Sequence, residues 1–88
     1  MAKKKQAATT LTIIFGQLLE ARRIELKQSI EEVASVLTIS EKELKSIEEG
    51  TLPTIDLETA YNIWKFYGVG FEQIEAALNV RRIKGALS

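Results

Sequence analysis

Eighty-eight residues, 45% of them hydrophobic, suffice for one small domain with a single core and are too few for two. The chain has no cysteine and no histidine, which removes disulfide support, the thiol nucleophile, the commonest general base and most transition-metal ligands. Formal charge is balanced at zero, so the net charge gives no attraction to a polyanion.

The charge is unevenly spread. From Ile30 to Gly50 six acids (Glu31, Glu32, Glu41, Glu43, Glu48, Glu49) stand against Lys42 and Lys45, a local balance of minus four that leaves plus four for the rest. The apolar runs, such as "LTIIF", fall far below the roughly twenty residues needed to cross a bilayer. The lysines at the start are not followed by the unbroken apolar run of a secretory signal. A soluble, cytoplasmic protein is expected, with no membrane contact.

In chain order, residues 1–9 lack periodic apolar positions and are expected to form a flexible basic arm. Lys3, Lys4 and Lys5 are either a solvated cluster or a tether for phosphates. A first helix is expected from Leu11 to about Glu25, with Leu11, Phe15, Leu18 and Arg22 recurring at three- and four-residue steps, Ile14 and Leu19 beside them, and Thr9 or Thr10 as cap.

Ser29 with Glu32, and Ser40 with Glu43, each have the spacing of a capping box and mark the starts of a second and a third short helix. Val33, Ala34 and Leu37 form the inner stripe of the second; Leu44 and Ile47 that of the third, which stops at Gly50. "TLPTI" reads as a loop, because Pro53 cannot continue a helix. Asp56 caps a fourth helix, "LETAYNIWKFY", ending at Gly68, and Phe71 to about Leu78 makes a fifth, with Phe71, Ile74 and Leu78 at helical spacing. Trp64, beside Ile63, is expected to pack inward, a dimer contact being the other reading. The tail, residues 81–88, is basic, with Arg81, Arg82 and Lys84. The fold class is all-α, with the domain over residues 10–80.

A connection of about three residues between the second and third helices suits a crossing near 90 to 120° and describes a helix-turn-helix. Gly16, Leu19 and Arg23, "SxEEVA" from position 29, "LxIS" from 37, "LxxIExG" from 44 and "TAYxIxxxxGV" from 59 together resemble the lambda-repressor-like, Cro-type (XRE) helix-turn-helix family over roughly residues 11–78. The resemblance implies a structural ion pair between Arg23 and Glu48. It also implies a regulator that reads the major groove with helix 40–49, and a homodimer on operator half-sites about 34 Å apart.

The residues at the matching DNA-binding positions are Ile30, Ser40, Glu41, Lys42, Lys45 and Ser46, with Lys3, Lys4 and Lys5 as phosphate contacts. Lys42 or Lys45 would donate to guanine or phosphate and Glu41 would accept from cytosine, or the same face would be solvated, with Glu41 and Lys45 paired at i,i+4. The chain departs from the family at Ile30, where glutamine is usual, at Thr38 and Lys27, where glycine is usual, and at Gln28, where an apolar residue is usual. The turn is therefore expected to be slightly re-set. Residues 29–50 are also similar to the cytoplasmic helix-turn-helix domains of membrane-anchored bacterial cell-shape proteins, which implies a protein partner for Ile30, Glu31 and the acidic edge as the alternative to double-stranded DNA. No catalytic, metal or cofactor site is expected.

Overall fold

A computed structural model describes the backbone of residues 10–87 and the side chains of residues 10–80. Five helices follow one another: α1 (Thr10–Glu25), α2 (Ile30–Leu37), α3 (Glu41–Glu49), α4 (Leu57–Tyr67) and α5 (Phe71–Leu87). Among the described residues there is no strand. α1 is the central element, packed against α3, α4 and α5, while α2 packs against α3 and α4. The arm at residues 1–9, with Lys3, Lys4 and Lys5, lies outside the described residues, as do the side chains of Arg81, Arg82 and Lys84.

The core is aliphatic. Ile14, Leu19, Val33, Leu37, Leu44, Ile47 and Ile63 are fully buried, with Phe15, Ala34, Tyr67, Val69 and Ile74 nearly so. The expected face of α1 is buried at Ile14, Phe15 and Leu19, while Leu11, on the same face but in the first turn, stays 51% exposed. Gly16 marks the closest approach of α1 to α3. A Cβ added there would lie 1.9 Å from the Ile47 carbonyl oxygen, so the backbones of α1 and α3 meet at a point where only hydrogen fits.

The helix ends are specified locally. At the start of α2 the Glu32 amide donates to Ser29 Oγ (3.0 Å) and the Ser29 amide donates to Glu32 Oε1 (2.8 Å), a complete capping box. At α3 only half of the expected box is present: the Glu43 amide donates to Ser40 Oγ (3.0 Å), with no return bond to the Glu43 carboxylate among the described residues. Asp56 Oδ2 accepts from both the amide and the hydroxyl of the buried Thr59 at the start of α4. α5 runs well past Leu78, to Leu87, so the basic tail continues the helix; Phe71, expected on its inner stripe, is almost wholly exposed.

Three helices close on left-handed residues with the paired backbone bonds of a Schellman motif. After α1, Lys27 (φ 59°) closes with Lys27 N–H to Ile24 O and Gln28 N–H to Arg23 O. After α2, Thr38 (φ 61°, ψ 41°) closes with bonds to Ser35 and from Ile39 to Ala34. After α3, Gly50 (φ 72°) closes with bonds to Ile47 and from Thr51 to Ser46. At the turn between α2 and α3, which lacks glycine, Thr38 is held left-handed, against the preference of a β-branched side chain.

Two outcomes follow for urea unfolding. A left-handed L-residue costs about 1–2 kcal/mol, more than the roughly 0.4–1 kcal/mol that glycine adds in unfolded-chain entropy, so Thr38→Gly raises stability by about 1 kcal/mol and Lys27→Gly by less. In contrast, Gly16→Ala lowers the unfolding free energy by about 3 kcal/mol or more, because the methyl cannot be accommodated without parting α1 from α3.

Candidate nucleic-acid interface

The candidate site is the outer face of α3 with the turn and helix that hold it. α2 and α3 are joined by Thr38, Ile39 and Ser40. Ile39 is half-buried against the core, and Ala34, on the inner face of α2, is buried. Leu44 and Ile47 anchor α3 inward. Helical geometry then turns Glu41, Lys42, Lys45 and Glu49 to solvent, with Ser46 half-exposed at the flank and Ser40 exposed at the N-terminal edge.

One acid of α3 is withdrawn from this face. Glu48 is buried, and its carboxylate accepts two bonds from Arg23, Nε to Oε2 at 2.8 Å and Nη2 to Oε1 at 3.0 Å. Arg23 Nη1 also donates to the Gln28 carbonyl oxygen (3.1 Å), so one guanidinium ties the end of α1, the loop before α2 and the C-terminal turn of α3. The bond to Glu48 holds the guanidinium pKa above its ordinary value, against the opposing effect of burial. A second acid, Glu32, is engaged by the Ser29 amide, and Glu43 is half-buried.

The lysines are not used in this way. Among the described residues the ion pairs are Arg22–Glu25 and Arg23–Glu48; Lys42 and Lys45 bond no acid, and the i,i+4 pair of Glu41 with Lys45 is not formed. Two unpaired lysines therefore share the outer face with Glu41 and Glu49, a balanced surface in a segment whose raw charge is minus four.

Ile30 is half-buried against the core rather than projecting freely, so most of its apolar surface is closed to a partner. Beside it, the Gln28 side-chain oxygen is buried without a hydrogen-bond partner, the consequence of an amide where an apolar group would suffice. Trp64 does not pack inward. It is 55% exposed, in line with Leu57 and Tyr61 along α4; the sequence shows a surplus of apolar positions around that helix but not which of them face outward. Among the described residues no helix is long and apolar enough to cross a membrane, and no group of His, Cys, Asp and Glu is placed to hold a metal ion.

No family model, no curated protein and no solved structure matches the chain.

Removing one partner of a buried ion pair strands the other, at about 3–5 kcal/mol. Arg23→Ala or Glu48→Ala should each lower the unfolding free energy by about 3 kcal/mol. The double variant should lose markedly less than the sum, which a double-mutant cycle by chemical denaturation measures.

Proposed function

We propose that the chain is a sequence-specific DNA-binding transcriptional regulator of the lambda-repressor-like, Cro-type kind, in which α2 and α3 form a helix-turn-helix and α3 enters the major groove. The observation that carries the reading is the sorting of charge on α3: Glu48 is bonded inward to Arg23 while Lys42 and Lys45 remain exposed and unpaired. Base edges and phosphates offer acceptors to such lysines, Ser46 can donate or accept, and Glu41 can accept from a cytosine amine. A phosphate at the N-terminus of α2 would be opposed by Glu31 and Glu32 in its first turn, so the attraction rests on α3 and on basic residues beyond the described side chains. A homodimer on half-sites about 34 Å apart supplies the contacts that a single nine-residue helix lacks.

The exposed acids Glu31, Glu41 and Glu49 support one alternative, a protein-interaction module that offers this face to a basic partner.

Retention on duplex DNA across a salt series separates the two. The wild type is expected to be retained at low salt, with a shallow dependence of log K on log salt. Lys42→Ala with Lys45→Ala should abolish retention, or reduce the slope by about 1 for each phosphate that is no longer neutralised. No retention of the wild type even at low salt would select the protein-partner reading.

A further inference from the structure

α4 has two apolar faces. Thr59, Ile63 and Tyr67, four residues apart, face the core. Leu57, Tyr61 and Trp64, at i, i+4 and i+7, form a second stripe that is 84%, 52% and 55% exposed, and Phe71 at the start of α5 beside them is 89% exposed. These four side chains, over Phe15, border a groove of about 570 Å³. A stripe of this periodicity is the signature of a buried helix face, and contiguous aromatic exposure on this scale marks an interaction surface.

The stripe is held in place before any partner arrives. The Trp64 indole lies so close to Gly70 that an added Cβ would come within 2.9 Å of its Cδ1, and Gly70 is itself fixed by its amide's bond to Gln73 Oε1 (2.7 Å). Tyr61 and Trp64 stack at 5.8 Å with a tilt of 44°, and the Lys65 ammonium sits 6.0 Å from the Tyr61 ring. Rigid aromatics whose outer faces are bare are the usual anchors of interfaces.

We propose that this face joins two copies of the chain, α4 against α4 in antiparallel about a two-fold axis near Tyr61. Three features favour a second copy. The charge along α4 is self-complementary, since Asp56 and Glu58 flank the Leu57 end and Lys65 flanks the Trp64 end, so reversal sets acid against lysine and opposes the helix dipoles. Leu57 and Trp64 lie about 10 Å apart along the axis on either side of Tyr61, so the same reversal places each Leu57 against the other copy's Trp64. At ordinary side-chain sizes the four residues expose on the order of 500 Å² per copy, so a pair buries about 1,000 Å², the threshold for a specific interface. Glu72, which lines the groove, and Glu58, next to Leu57 in the chain, disfavour an anionic lipid or a nucleic acid as the occupant.

The pairing supplies the second copy that the DNA-binding reading calls for and rests on that reading only for its purpose. It uses none of the exposed residues of α3, and association is measured with no DNA present, so either can fail without the other. Sedimentation equilibrium of the full chain from about 1 to 500 µM should show the mass rising from 9.9 kDa toward twice that value. Trp64 is the only tryptophan, and its emission should shift to the blue over the same range. Leu57→Asp, at a position 84% exposed beside an N-cap where an acid suits the helix, should leave helicity and unfolding unchanged while holding the chain at 9.9 kDa. Lys65→Glu should weaken association about tenfold, and adding Glu58→Lys should restore it. A wild type that stays monomeric over the whole range, or a dimer that Leu57→Asp leaves intact, overturns the proposal.

Discussion

The orientation of α3 depends on the bond between Arg23 and Glu48 and on the backbone contact beneath it. Gly16 lets α1 and α3 touch, which places Arg23, seven residues further along α1, over the last turn of α3. The guanidinium then meets the carboxylate with two parallel bonds and directs its remaining arm to the Gln28 carbonyl. A planar, five-donor group is suited to this triple attachment where an ammonium is not. Because both charges are largely removed from water, neither is tolerable without the other.

That pairing also resolves the charge of the segment. A segment of net minus four would repel DNA if its acids shared one surface. Folding distributes them: Glu48 faces inward, Glu32 closes its own helix, Glu43 is half-covered, and what reaches solvent on α3 is two lysines against two glutamates. Electrostatics at a surface is set by which side chains the helix rotation exposes, and that rotation is decided by Leu44 and Ile47.

The helix ends show how backbone chemistry and residue identity can disagree. The caps after α1 and α2 keep their left-handed geometry although they carry lysine and threonine. The paired carbonyl bonds and the burial of Ile39 and Leu37 beyond and before the turn hold the conformation, and the side chain bears the strain. α4 displays the opposite case, a helix without strain but with more apolar surface than one core can cover.

By itself the sequence determined the helix count, the all-α class and the caps at Ser29 and Asp56, because these depend on bonds within three or four residues. The inward stripes of α2 and α3 were legible for the same reason: each carries apolar residues on a single face. The resemblance, not the spacing, pointed to Arg23 and Glu48. Only the tertiary structure decided that Leu11, Phe71 and Trp64 stay exposed, that Glu43 leaves its box half-made, and that α5 continues to Leu87. Each of these depends on what lies alongside or beyond a helix end or face, which bonds within three or four residues do not settle. Periodicity shows that a helix has an apolar face; which of two such faces meets the core is settled by the contacts of the helices packed around it.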